Sequence, residues 1–264
     1  MKVGFIGAGN MGGALCAAAA KTENEVIISD IDLNKAKEKA ALIGCKAADN
    51  ETVAKTAKYI FMGVKPHIMK SALCDILSIL KNRTDRFVLV SMAAALTVEK
   101  IKEFSDISFP VIRIMPNTPV SVGKGVVLYT ASEEVTDSEK AEFEGILKFA
   151  GLVEPIDEKL IDAGSALYGC GPAFVFMFSE ALADAGVECG LTRDKALRLA
   201  AATINGAGEL MLKSDKHPGV LKDEVCSPGG TTIAGVHALE EGSFRGVVMD
   251  AVKAAYDKTK LLGK

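Results

Sequence analysis

Two glycine-rich stretches carry the residues whose types and spacing suit chemistry. The first, Gly7-Ala8-Gly9-Asn10-Met11-Gly12, follows the apolar run "KVGFI" (2–6) and opens a helical pattern. That setting gives G-x-G-x-x-G its meaning. Gly7 permits a tight turn, Gly9 lets a pyrophosphate approach the backbone, and Gly12 lets the helix pack on the strand. The helix start around Ala8, Asn10 and Met11 supplies N–H groups and a partial positive charge for that pyrophosphate. Asp30 closes the next apolar run, eighteen positions beyond Gly12. Its carboxylate can accept hydrogen bonds from adenosine ribose hydroxyls, which favours NADH, and would repel the 2′-phosphate of NADPH. Asn34, Lys35 and Lys37 lie close by and can bind or neutralise a phosphate. Asp30 as a helix N-cap is the structural alternative, so NADPH or NADH stays open.

The second stretch, "CSPGGTTIAGVHALEEG" (226–242), begins like a turn and continues like a helix, with Ile233, Val236 and Leu239 at helical spacing. Bare backbone at Gly229, Gly230 and Thr231 before such a helix can hold an anion, with Ser227 to assist. Thr231 and Thr232 read either as ligand contacts or as helix caps. No Ser–His–Asp set and no evident carboxylate pair accompanies them. His67, His217 and His237 read as structural, and Cys226 has no adjacent base in sequence.

The elements that must position these groups alternate in the first part of the chain. Runs at 2–6, 25–29, 59–64, 87–91 and 111–115 are short and rich in Val and Ile, as in strands buried on both faces of a parallel sheet. Helical patterns lie between them. One ends at a Gly44 cap, and another starts at the capping box "TDSE" (136–139) and is expected to stop at Gly151. Such alternation implies βαβ units and a doubly wound, Rossmann-like α/β fold over residues 1–157. "VKP" (Val64, Lys65, Pro66), "SMAA" (with Ser91 and Ala93) and "MPNTP" (with Asn117 and Thr118) all end strands, on the edge where such sheets bind ligands. For "MPNTP", a rigid crossover competes with direct ligand contact.

From residue 158 to 264 the pattern is helical, with no strand candidate. Ala200, Ala201, Ala202, Gly206 and Gly208 permit close helix packing, within the chain or against a second copy. The net charge of −3 gives no electrostatic reason to expect nucleic acid or an anionic membrane as a partner. Six dispersed cysteines without a C-x-x-C pair, and three histidines, offer no metal-ligand spacing. They read as free thiols in a reducing cytoplasm. The uncharged runs 3–20 and 163–179 are broken by glycines, the second also by Pro172, and are expected to be neither signal peptide nor membrane span.

Together "VGFIGAGNMGGA", "VKP", "MPNTP", "GCGPAFVFMFSEALADAG" and "HPGVLKDEVCSPGGTTIAGVHALEEGSFR" resemble the pyrroline-5-carboxylate reductase family along essentially the whole chain. The resemblance implies reduction of 1-pyrroline-5-carboxylate to L-proline by NAD(P)H. It also implies a Rossmann domain followed by a helical domain interlocked with a second subunit, active sites at the dimer interface, and in many members assembly into decamers. Under that reading the anion held by Gly229, Gly230, Thr231 and Ser227 is the substrate carboxylate, and the Thr232 hydroxyl meets the imine nitrogen. Tyr168 and Cys170 stand where the family has small hydroxyl or glycine residues. Phe174 replaces a common tyrosine, and Asp30 replaces small polar residues of NADPH-preferring members. Two-domain β-hydroxyacid dehydrogenases use a lysine on the corresponding helix, and "GPAFVFMFSEALADAG" has none. A deazaflavin-linked NADP reductase would share the N-terminal motif but not explain "SPGGTT". A non-catalytic NAD-sensing or scaffold protein is the alternative from outside the enzymes, and activity with L-proline would discriminate it.

Overall fold

The computed structural model describes residues 1–262. Its N-terminal part runs β1 (Lys2–Ile6), α1 (Asn10–Ala20), β2 (Glu25–Ser29), α2 (Leu33–Ile43), β3 (Lys46–Ala47), α3 (Asn50–Thr56), β4 (Tyr59–Met62), α4 (Pro66–Lys81), β5 (Val88–Ser91), α5 (Val98–Lys102) and β6 (Val111–Pro116). It continues with β7 (Gly125–Ala131), α6 (Asp137–Leu147) and β8 (Gly151–Pro155). The strands form one sheet in the order β3-β2-β1-β4-β5-β6-β7-β8. The order reverses between β1 and β4, and all neighbours are parallel except β6 and β7.

Side-chain alternation explains why the strands read as unbroken apolar runs. Val3, Phe5, Tyr59, Phe61, Val88 and Val90 enter one core layer, with Leu15 of α1 and Phe143 of α6. Ile6, Ile60, Met62 and Leu89 enter the opposite layer, with Val53 of α3 and Met69 and Leu73 of α4. Both faces are therefore dry, as a sheet covered by crossover helices requires. The helix ends follow their local chemistry. Gly44 caps α2 with φ +80°, Pro66 occupies the first turn of α4, and Thr136 and Glu139 form the capping box of α6.

The structure differs from the sequence reading beyond β6. That reading had no strand after residue 115, yet β7 returns antiparallel to β6 and β8 lies parallel at the edge. Gly151 does not stop α6, which ends at Leu147. Gly151 starts β8 at φ +129°, where a Cβ would lie 2.1 Å from the Gly125 carbonyl oxygen. The edge strand is mostly exposed and carries Glu154, so its apolar periodicity is weak.

The chain divides into two compact units, Met1–Gly169 (with the segment from Lys258 onward) and Cys170–Asp257. Within the first, α7 (Ile161–Gly164) and a π-turn over Ser165–Gly169 are fastened to the sheet. The Tyr168 hydroxyl donates to the Met115 carbonyl, and Asn117 Nδ2 donates to the Tyr168 carbonyl at 3.0 Å. The second unit contains α8 (Gly171–Glu188), α9 (Arg193–Lys213), α10 (Pro218–Val225) and α11 (Thr231–Glu241), and α12 (Phe244–Leu262) begins in it. Its fully buried core is small: Ala183, Ala196 and Ala200, with Val187 packed against them.

Candidate active site

The glycine loop sits at the carboxyl ends of β1 and β4, the point where strand order reverses and where open α/β sheets bind ligands. The three glycines meet different constraints. Gly7 has φ +109°, and a Cβ there would lie 2.5 Å from the Gly63 carbonyl oxygen. A Cβ on Gly12 would lie 2.2 Å from the Gly7 carbonyl oxygen, so this glycine lets α1 approach the turn. Gly9 caps α1 without a side-chain hydrogen bond, and a Cβ there would meet no protein atom within 4 Å. Gly9 is therefore not needed for packing, and its bareness faces open space. That cradle at a helix N-terminus fits a pyrophosphate.

A cleft of about 700 Å³ opens there. Ala8, Gly9, Asn10, Met11 and Gly12 form one wall, and Val64, Lys65 and Pro66 form another, joined by Gly63. The sequence reading placed Lys35 near the cofactor, and Lys35 lines the cleft, whereas its neighbours Asn34 and Lys37 are not among the lining residues. It missed the rest of the wall made by α2, Glu38, Lys39 and Leu42. The signal was present, since 35, 39 and 42 recur at the spacing of one helix face. After β5 the lining residues are Met92 and Ala94. Ser91 and Ala93 are buried, and the Ala93 N–H donates to Ser91 Oγ at 3.3 Å. Asn117 is also buried, and both ends of its amide are engaged within the first unit. Besides its bond to Tyr168, its Oδ1 accepts from the Val126 N–H at 2.8 Å.

Asp30 lies just past β2. One oxygen accepts from the Ala8 N–H at 2.8 Å and from Lys35 Nζ at 3.0 Å, and the other accepts from the Asp32 N–H at 3.2 Å. Burial works to raise this carboxyl, but the bonds from Ala8, Lys35 and Asp32 outweigh it and hold Asp30 below the usual aspartate range. The N-cap of α2 is Asp32, which accepts from the Asn34 and Lys35 N–H groups. Asp30 is thus free of the capping role and bridges the glycine loop to Lys35.

The second glycine stretch lies in the helical unit. Ser227-Pro228-Gly229-Gly230 forms a tight turn closed by the Gly230 N–H donating to the Ser227 carbonyl at 3.0 Å. Proline at the second position and Gly229 at φ +67° in the third are the requirements of a type II turn. A Cβ on Gly230 would lie 2.3 Å from Ser227 Oγ and 3.0 Å from the Ser227 carbonyl oxygen, so a larger residue here would have to turn the Ser227 hydroxyl aside. Gly230 caps α11 with no side-chain hydrogen bond, so neither Thr231 nor Thr232 is the cap. Ser227, Thr231 and Thr232 are exposed, with the threonines in the first turn of α11.

Apolar surface dominates the rest of this unit. Phe176, Met177, Leu212, Val247 and Met249 are exposed, Phe176 at 67% and Met249 at 71%. A unit with so small a core of its own leaves a large apolar face to cover. Among the described residues one helical run, Glu158–Glu188, is long and apolar enough to cross a membrane by length and composition. The π-turn at Ser165–Gly169 interrupts it.

Sheet order, glycine loop and the carboxylate after β2 define a protein of the Rossmann dinucleotide-binding class. Residues 158–262 match the family described as pyrroline-5-carboxylate reductase dimerisation, and residues 2–95 match that described as NADP oxidoreductase coenzyme F420-dependent. Pyrroline-5-carboxylate reductase 3 of Danio rerio is 40% identical over 270 residues, covering 100% of this chain and 92% of its own. The Escherichia coli pyrroline-5-carboxylate reductase is 37% identical over 268 residues, covering 100% and 98%. The structure of the Coxiella burnetii reductase superposes with a TM-score of 0.90 at 32% identity, covering 99% of this chain and 98% of that one. The Plasmodium falciparum enzyme, solved with NADP bound, gives 0.84 at 34% identity, covering 100% and 98%. The chain belongs to the pyrroline-5-carboxylate reductase family, and its helical unit is a self-association module.

Proposed function

We propose that the protein is a pyrroline-5-carboxylate reductase, EC 1.5.1.2, which reduces the C=N bond of 1-pyrroline-5-carboxylate with NAD(P)H and so makes L-proline in the last step of proline biosynthesis. The observation that carries this reading is full-length identity of 37–40% to reductases of that name, with both glycine stretches in place. NADP in the Plasmodium falciparum relative supports a nicotinamide dinucleotide in the cleft of the first unit. The bare Gly9 and the N–H groups of Asn10, Met11 and Gly12 would hold the pyrophosphate, with Ala8 lining the cleft and its own N–H given to Asp30. Asp30 and Lys35 would read the adenosine ribose, and Val64, Lys65 and Pro66 would line the opposite wall. Bound there, the reduced nicotinamide supplies the hydride.

The chain's own residues have a limited chemical task. A cyclic imine is basic enough to carry its own proton, and the iminium is the better hydride acceptor because no negative charge develops on nitrogen. Hydride addition to its carbon gives the secondary amine directly, so no strong acid is needed. Positioning matters more; it can lower such a barrier by about 7–11 kcal/mol. Gly229 makes the turn that presents the Thr231 and Thr232 N–H groups to the substrate carboxylate, with Ser227 beside them, while the Gly230 N–H closes the turn on the Ser227 carbonyl. The Thr232 hydroxyl is the group assigned to the imine nitrogen, where it can accept the iminium hydrogen bond.

Self-association goes through the apolar faces of the helical unit as a homodimer, with a decamer as the larger assembly, and the protein acts in the cytoplasm without nucleic acid or membrane as a partner. Light scattering of the purified protein measures the assembly. The deciding assay follows NADH and NADPH oxidation with 1-pyrroline-5-carboxylate, and NAD⁺ and NADP⁺ reduction with L-proline at high pH. Absence of turnover in both directions would sink the proposal.

A further inference from the structure

Cys16 and Cys45 approach each other far from "SPGGTT" in sequence and take no part in the chemistry above. Their Sγ atoms are 3.8 Å apart and share a hydrogen bond, across twenty-nine residues of sequence. Cys16 lies two turns into α1 and is fully buried, whereas Cys45 is half-buried just after the Gly44 cap of α2. A disulfide needs the sulfurs about 2 Å apart. The remaining gap of under about 2 Å is within reach of small side-chain rotations.

We infer that Cys16 and Cys45 form a redox-modification site, in which a small-molecule disulfide such as oxidised glutathione converts the two thiols into an intramolecular disulfide. The geometry assigns the order of events. Cys45, the more accessible sulfur, attacks one sulfur of the oxidant as a thiolate and releases the other half as a thiolate, leaving Cys45 in a mixed disulfide. Cys16 then attacks the Cys45 sulfur and expels the second glutathione, its thiol proton passing to the departing glutathione thiolate. Two protein thiols are oxidised, one oxidant disulfide is reduced to two thiols, and the atoms balance. The shared hydrogen bond and burial keep the Cys16 thiol protonated, while the same bond favours the Cys45 thiolate, in agreement with that order. Cys74 and Cys189 are exposed but have no second thiol at hydrogen-bond distance among the described residues, so oxidation there stops at the mixed disulfide. The cross-link would tie α1, whose first turn lines the cleft, to the end of α2, which forms the facing wall.

The test is oxidation of the purified full-length protein with glutathione disulfide, alkylation of remaining thiols, and non-reducing peptide mapping by mass spectrometry. The expected result is a peptide pair linked through Cys16 and Cys45, lighter by two hydrogens and separated by dithiothreitol. In Cys16→Ser, Cys45 should instead retain glutathione. In Cys45→Ser, Cys16 should stay unmodified while Cys74 and Cys189 react. Wild-type protein in which Cys74 and Cys189 are glutathionylated while Cys16 and Cys45 are both alkylated would overturn the inference, whether or not the variants fold. Linkage of Cys16 to any other cysteine would overturn it as well.

Discussion

Asp30 offers the sharpest test of how the cleft chooses its dinucleotide. Its side chain is only 10% exposed and is held by the Ala8 N–H and Lys35, whose own side chain is 48% exposed. Replacing it in Asp30→Ser removes an acceptor available to ribose hydroxyls, a loss of about 1–2 kcal/mol in NADH binding. It also removes a negative charge that opposes the 2′-phosphate of NADPH. Two unit charges about 5 Å apart interact by ~3 kcal/mol at an effective dielectric of ~20. Solvent at Lys35 and salt should cut that to roughly half. The two effects act in opposite directions on the two cofactors, so the ratio of their Kd values should move by about 100-fold towards NADPH. Lys35→Met should do the reverse, weakening NADPH about tenfold while changing NADH little. Isothermal titration with each reduced cofactor measures this, with thermal melts to show that the variants are folded. A ratio that moves less than threefold in folded Asp30→Ser, or an equal loss for both cofactors, would refute the assignment.

The same one-carbon change at two glycines should have opposite consequences. Gly9→Ala should leave Tm within about 2 °C of wild type yet weaken dinucleotide binding at least tenfold, because its Cβ meets no protein atom and enters the cleft. Gly12→Ala, with its Cβ 2.2 Å from the Gly7 carbonyl oxygen, should lower Tm clearly. Thr232→Ala should lower kcat about 10- to 100-fold with NADH affinity nearly unchanged; matching losses in both would remove its substrate role. Arg86 beside Glu139 pulls the Glu139 carboxyl down to about 2, with the Thr136 cap assisting against burial. A depressed carboxyl contributes stability that is complete above about pH 5 and is lost as pH falls towards 2. Glu139→Gln should therefore cost about 1–2 kcal/mol at pH 7, and the gap to wild type in thermal melts should close on acidification. Phe176→Glu places a charge on the exposed apolar face of α8 and should reduce self-association, seen as a lower mass by light scattering.

Much of this architecture was legible because several local signals agree. The five runs rich in Val and Ile that alternate with helical patterns are strands buried on both faces, and each glycine of the first loop has a separate steric or ligand-facing reason to be bare. Gly44, Pro66 and the Thr136–Glu139 box are read from the residue itself, since each acts within four positions of its own backbone. β7 and β8 were not legible. The pairing of β7 with β6 turns on a 3₁₀ turn and a glycine at φ +71°, and β8 is an edge strand whose partner lies more than twenty residues away. Gly151 looked like a helix stop because a glycine after a helical pattern usually is one. Its real constraint is the Gly125 carbonyl across the sheet.

The sequence by itself determined the class of fold, the family and the two bare stretches of backbone that can hold anions. Those properties depend on residue type and short spacing. Only the tertiary structure decided which groups face the cleft. It buried Ser91, Ala93 and Asn117, left Met92 and Ala94 lining the cleft, and swung Lys35, Glu38, Lys39 and Leu42 of α2 into the wall. It also turned Asp30 towards the Ala8 N–H and set Cys16 against Cys45. The physical reason is that facing and proximity between distant segments depend on how strands and helices pack. Periodicity gives the faces of an element, and packing alone selects which of them meets the ligand.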